Sequence, residues 1–209
     1  GKSVSTTGIT VTDGNDGNNY TTTFTNNTNS SITPLDLTVK ANSGSQTYDG
    51  IAFSGNFDVT YAGFIAGDNE TNALSGELQY QGSSQGAVNT GTYDIIARGL
   101  SATNYVIAYD SGQLIINPAQ LTYVADQTTA YAGQVSALTG SVTGLVGTDT
   151  LTDTTSGTLR FSSNGTTSVT PGLYDVHGEG LSVTSGNYLA TIIQDLSLIH
   201  ISEPTRRTP

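Results

Sequence analysis

The chain has 209 residues, room for one large domain or two to three small ones. Only 11% of them are charged against about 25% in an average domain, yet 11 tyrosines, 5 phenylalanines and many β-branched residues supply core material, which argues against wholesale disorder. Six basic residues against 17 acidic ones give a net charge of -11, which removes the electrostatic drive toward nucleic-acid phosphates and anionic membranes, and the lack of cysteine excludes disulfides, thiolate metal sites and thiol nucleophiles.

No run approaches the roughly 18 apolar residues that span a bilayer, so no membrane insertion is expected. The chain opens on Gly1-Lys2-Ser3-Val4 with neither methionine nor signal peptide, and it reads as a fragment whose export signal lies outside it. The first turn-rich stretch is Asp13-Gly14-Asn15-Asp16-Gly17-Asn18-Asn19. Its oxygens offer Asp13 and Asp16, with Asp68 and Asp149 further on, as ligands for a weakly held calcium. It lacks the spacing and terminal glutamate of a helical calcium loop, and the simpler reading is an Asx-rich turn.

In Leu35-Asp36-Leu37-Thr38-Val39-Lys40 every second residue is apolar, which predicts a strand with Leu35, Leu37 and Val39 on one face. Phe57, Val59 and Tyr61 alternate in the same way with Asp58 and Thr60, and Tyr93, Ile95 and Ala97 alternate with Asp94, Ile96 and Arg98. Between the strands stand turn formers: Gly44, Asp49-Gly50, Gly67-Asp68-Asn69, Ser111-Gly112 and Asn164-Gly165. A short helix around Ile65 to Leu74 is compatible with the pattern, but no segment carries a capped 3.6-residue stripe, so the fold class expected is all-β.

The chain also repeats itself. Tyr48-Asp49-Gly50 returns as Tyr131-Ala132-Gly133, 83 residues on, and Gly63-Phe64-Ile65-Ala66-Gly67-Asp68 returns as Gly144-Leu145-Val146-Gly147-Thr148-Asp149, 81 residues on. Ser75-Gly76-Glu77-Leu78 matches Ser156-Gly157-Thr158-Leu159, and Gly91-Thr92-Tyr93-Asp94 matches Gly172-Leu173-Tyr174-Asp175. Asn-Tyr occurs at Asn19-Tyr20, Asn104-Tyr105 and Asn187-Tyr188, and Ile32-Thr33-Pro34 returns as Ile116-Asn117-Pro118. Motifs kept in order at one period mark a tandem array. The expected units are a partial one over 1–34, a complete one over 35–118, and a third over 119–195 that lacks its closing strand. Pro34 and Pro118 cannot continue a sheet ladder, and they leave linkers of one to three residues. Small β-sheet or β-sandwich-like domains set end to end as an elongated rod are therefore expected.

These landmarks resemble two related classes of bacterial surface repeat. Residues 35–118 are similar to a glycine-rich, mostly-β (MBG-type) repeat, through Tyr48-Asp49-Gly50, the Gly63 to Asp68 segment, Gly91-Thr92-Tyr93, Asn104-Tyr105 and the closing Leu114 to Pro118. Residues 119–195 follow the same plan, with Ala132 in place of the acidic residue and Leu173 in place of the threonine, which weakens any shared ligand role for Asp49. Residues 1–34 are more similar to the tail of a Tyr-Asp-Gly (YDG-type) repeat. The resemblance implies stalk or passenger modules of a large secreted, haemagglutinin-like adhesin, located outside the cell at a bacterial surface. It implies neighbouring repeats as partners, with no enzymatic activity and no cofactor.

Residues 196–209 break with this composition, bringing His200 and the adjacent Arg206 and Arg207. They resemble a translated sequencing adapter, and are set aside from the repeat as a non-native tail.

Of conventional chemistry little is legible. With His200 set aside, His177 is the one histidine left to serve a Ser-His-acid mechanism. Asp175, His177 and Glu179 fall on one face of a strand, three potential metal ligands at successive same-side spacings of about 6.5 to 7 Å, too wide for one ion without distortion. The matching strand carries Asp94, Ile96 and Arg98, which reads as an ordinary solvent face. The recurring Tyr20, Tyr105 and Tyr188 read as core plugs with their hydroxyls at an edge, or alternatively as platforms for host or biofilm glycans and proteins. The leading expectation is a stalk; the alternative is weak glycan binding strengthened by repetition.

Overall fold

The computed structural model describes residues 2–55, 57–131, 137–189, 191–194 and 197–202. Ala132 and Gly133 of the recurring motif, and Arg206 and Arg207 of the tail, lie outside the described residues. In chain order the elements are β1 (Lys2–Val4), β2 (Asn27–Ser30), β3 (Leu35–Ala41), β4 (Gly44–Thr47), β5 (Val59–Ala62), α1 (Glu70–Ala73), β6 (Ser75–Gln81), β7 (Gly91–Ser101), β8 (Tyr105–Asp110) and β9 (Gly112–Asn117). The series from β3 onward then recurs: β10 (Thr122–Ala125), β11 (Thr128–Tyr131), β12 (Gly140–Thr143), α2 (Leu151–Thr154), β13 (Thr155–Ser162), β14 (Gly172–Val183), β15 (Ile193–Gln194) and β16 (Ser197–Ser202).

Strands β3 to β9 make two sheets, ordered β5-β3-β8 and β4-β9-β7-β6, and β10 to β16 make two more, ordered β12-β10-β15 and β11-β16-β14-β13. Replacing each strand by its counterpart converts one pair of sheets into the other. The sequence repeat is thus a repeat of topology, and the fold is all-β with two tandem repeat domains. The helix compatible with Ile65 to Leu74 is α1, a single turn whose N-cap Asn69 accepts from Thr71 N and Asn72 N while the Asn72 side chain accepts from Asn69 N.

By its contacts the chain divides into two compact units. The first comprises Gly1–Val39, Tyr61–Leu78 and Gly99–Ala108. In it β1 and β2 pair antiparallel, Lys2 opposite Ser30. Leu37 and Val39 are fully buried and Tyr105 nearly so. Leu35, expected on the same buried face, is 49% exposed. Gly63, at φ 120°, lies so close to the Asp36 carbonyl that a β-carbon would collide with it, which explains a glycine at that turn.

The second unit comprises Lys40–Thr60, Gln79–Arg98 and Tyr109–Pro209. Within it β9 runs parallel to β4, Gly44 opposite Leu114, and antiparallel to β7, Gly91 opposite Ile116. This places Ile95, Leu114 and Ile116 in the core. The strand expected from Phe57 starts later, at Val59, because Asp58 takes a left-handed conformation at φ 67° and accepts from Val59 N on its own side chain. Phe57 instead stacks on Phe53, ring centres 5.8 Å apart, and covers Gly44.

Residues 119–195 are expected to lack a closing strand, and β16, which occupies that position, comes from the tail beyond them. β16 runs parallel to β11, Thr128 opposite Ile199, and antiparallel to β14, Gly172 opposite Ile201. The physical reason is alternation: Ile199 and Ile201 point inward to pack with Ala125 and Val176, while His200 faces out. These two isoleucines stand where Leu114 and Ile116 stand in the preceding repeat.

Candidate functional site

Each repeat builds the same corner from a four-residue turn and a tyrosine. In the first, the turn Ile65 to Asp68 is closed by Asp68 N donating to the Ile65 carbonyl at 3.0 Å, with Gly67 at φ 96°. Tyr105 opens β8, directly after Asn104, whose carbonyl accepts from Leu35 N. The Tyr105 hydroxyl accepts from Ile65 N at 3.1 Å and donates to Asp68 Oδ2 at 2.6 Å, and its ring meets the edge of Phe64. Burial, and then the bond to Asp68, raise the pKa of the Tyr105 hydroxyl.

The next repeat reproduces this corner. Asp149 N donates to the Val146 carbonyl at 2.9 Å, and the Tyr188 hydroxyl accepts from Val146 N at 2.9 Å while donating to Asp149 Oδ2 at 2.7 Å. Burial first, and the Asp149 carboxylate second, push the Tyr188 hydroxyl up to about 12.

The second corner is also occupied by the preceding repeat. Tyr48, 7% exposed, lays its ring edge-on against Tyr188 with centres 5.7 Å apart, and its hydroxyl donates to the same Asp149 Oδ2 at 3.0 Å. Gly50, at φ 72°, brings the backbone against Val146. Beside them Thr90 N donates to Asn187 Oδ1 at 3.0 Å, Thr90 Oγ1 donates to the Gly186 carbonyl at 2.9 Å, and Asn187 Nδ2 donates to Asn89 Oδ1 at 2.9 Å. A turn and a loop of one repeat are thereby bonded to the corner of the next. The arrangement is a joint, with one carboxylate taking two hydroxyl donors.

Two stretches, residues 37–115 and 121–195, match the family model of the MBG domain (YGX type). The chain belongs to this family. MBG domains occur in bacterial surface-type repeat proteins and are not known as enzymatic. No curated protein matches the chain.

In this MBG chain the other expected site residues stay apart from the joint. Asp175, His177 and Glu179 lie in a row on the exposed face of β14, with Val176 and Gly178 buried on the other. Among the described residues no three histidine or acidic side chains gather as metal ligands. Asp13 folds its own loop, accepting from Asn15 N and Gly17 N at 3.0 Å each, and these backbone donors hold its carboxyl below the usual range. Asp16 sits in the same loop at φ 51°. Asp49 accepts from Ile51 N in its own turn and takes no part in the joint's bonds.

Of the recurring tyrosines, Tyr105 and Tyr188 are corner plugs, 5% and 3% exposed, whereas Tyr20 is 61% exposed. The docking of Tyr48 on Asp149, and the roles of Asn89, Thr90 and Asn187, were not anticipated from sequence. The recurrence of aspartate at 68 and 149 was the available signal, because an acidic residue kept at one point of two repeats is more than a solvent contact. Among the described residues no helix is long and apolar enough to cross a membrane.

Proposed function

We propose that this chain is a spacer segment of a secreted bacterial adhesin or haemagglutinin-like exoprotein, in which tandem MBG repeats hold a binding region away from the cell surface. The observation that carries the reading is the joint itself. Tyr48, Asn89 and Thr90 of one repeat bond to Asp149, Gly186 and Asn187 of the next, across a linker around Pro118. A tandem array whose neighbours are bonded resists swivelling, and resistance to swivelling is what a stalk needs.

The cysteine-free composition supports export of an unfolded chain that folds outside the cell without oxidation. The high acidic excess favours solubility and disfavours sideways association. On this reading the repeats work without catalysis or cofactor, and their partners are neighbouring repeats. The glycan alternative rested on recurring aromatic platforms, and burial of Tyr105 and Tyr188 favours the stalk instead.

Small-angle scattering on the full chain tests this. A stiff particle several times longer than wide, unchanged by salt, is the expected result. A compact globule would sink the stalk reading and turn attention to a groove with a ligand.

A further inference from the structure

The two corners are alike in construction but not in occupancy. Around Tyr188 the space is filled by Tyr48 and its turn. Around Tyr105 it is an open cavity of about 360 Å³, lined among others by Ile32, Leu35, Ile65 and Asn104. Three of these are exposed apolar side chains: Ile32 at 82%, Leu35 at 49% and Ile65 at 57%. Of their counterparts in the next repeat, Ile116 is buried in the core of its own sheet, Ala119 is buried where it bridges to Tyr188, and Val146 lies under Gly50. Large apolar side chains clustered in a cavity beside an ordered polar group mark a contact surface, while such residues scattered singly would not. Among the described residues Asp68 Oδ2 holds one hydroxyl, that of Tyr105, where Asp149 Oδ2 holds two.

We propose that the Tyr105–Asp68 corner is the acceptor half of a repeat-to-repeat joint and takes the Tyr131 side chain of a second copy of this chain. The fit is argued from the occupied corner, where a turn of this same chain fills a socket of the same design. Tyr131 corresponds in sequence to Tyr48, ends β11 as Tyr48 follows β4, and is 51% exposed where Tyr48 is 7%. One copy thus carries both an unfilled socket and an exposed plug, as a heterologous, head-to-tail contact requires. Pro171 stands where Thr90 does, so the copy brings no amide donor for Asn104, and the contact in solution is weaker than the covalent joint. The proposal does not depend on the stalk reading, since a chain can be a spacer whether or not its first corner is filled in this way.

Sedimentation equilibrium of the full chain, up to about 1 mM and in about 0.15 M salt to screen its negative charge, reads the contact directly. Concentration-dependent dimers and longer species are expected. Tyr131→Ala removes the plug, and Ile65→Glu blocks the socket without touching the backbone amide that Tyr105 uses; each should weaken association at least about tenfold. Mixing the two variants supplies the decisive arm. Tyr131→Ala keeps a socket and Ile65→Glu keeps a plug, so the mixture should form a heterodimer that grows no further. A chain that stays monomeric throughout, or association that survives both substitutions, overturns the proposal. Circular dichroism on both variants keeps a folding failure from passing as support.

Discussion

The hydroxyl of Tyr48 lies 3.0 Å from Oδ2 of Asp149, an oxygen that also accepts from Tyr188 at 2.7 Å. One carboxylate therefore ties a corner together within its repeat and ties that repeat to its predecessor. Hydrogen bonds to a charged group are worth about 1.5 to 3 kcal/mol when well shielded, and less where water reaches them. Tyr48→Phe keeps the ring edge on Tyr188 and loses only the bond, so it should cost about 1 kcal/mol. Asp149→Ala strips both hydroxyls of their acceptor and should cost about 2 to 3 kcal/mol. Denaturant unfolding followed by hydrogen exchange in each repeat checks both. A single shared transition in the wild type that splits in Asp149→Ala identifies the bond as the coupling element, and unchanged cooperativity would count against it.

Alkaline pH offers a second handle on the joint. The Tyr188 hydroxyl titrates at about 12 in the folded chain against an ordinary value of 10.0. Between those values the unfolded chain has lost a proton that the folded chain still holds, so stability falls as pH rises. The contribution is fully present below pH 10 and gone once pH passes about 12. Tyr48 and Tyr105 are raised in the same direction and add to the same window. Phenolate absorbance should show a late-titrating component, and Tyr188→Phe should remove part of it. A uniform titration near the ordinary value would contradict the buried corner.

How far the sequence carried this structure can be traced residue by residue. Alternation in Leu37 and Val39, and in Ile95 and Ala97, was enough to place strands and their inner faces, because sheet side chains alternate regardless of partners. The period of motifs led to the topological repeat. What alternation could not supply was register and backbone exceptions: the left-handed Asp58 ends the pattern at Phe57, and its signal is a single aspartate among many. The burial of Tyr105 and Tyr188 was legible because their recurrence implied a structural duty. The docking of Tyr48 was not, because which repeat a side chain touches depends on the turn between sheets rather than on any local pattern. Asp175, His177 and Glu179 were legible in the same way, since alternation alone sets them along one strand face, and all three are exposed there.

Compensating changes between the repeats give a third test. Tyr123 occupies the place that Val39 holds in the first repeat, and Gly178 stands where Ala97 does. A β-carbon on Gly178 would run into the Tyr123 ring, whose hydroxyl accepts from Leu181 N. Gly178→Ala should therefore destabilise by about 1 to 3 kcal/mol through overpacking. Tyr123→Val in the same chain should recover most of that loss, as the Val39 and Ala97 combination is the one the first repeat uses. Additive destabilisation of the two substitutions in a double-mutant cycle would show that the ring and the glycine are not coupled.

The strand in the closing position of the last repeat comes from the tail that the sequence sets apart, and it gives the fourth test. Ile199 and Ile201 are fully buried and pack with Ala125 and Val176, and β16 joins β11 to β14 in its sheet. Ile201→Ala should cost about 2 to 5 kcal/mol, the usual range for a buried large-to-small change. Ending the chain at residue 195 should remove the strand entirely. It would leave β11 and the outer side of β14 without their hydrogen-bond partner and expose Val176. Amide exchange in Gly172–Val183 should then accelerate, while Gly91–Ser101, whose partner β9 is untouched, keeps its protection. Full protection of Gly172–Val183 in the shortened chain would mean that the repeat holds its sheet without residues 197–202, and that their place in the core is dispensable.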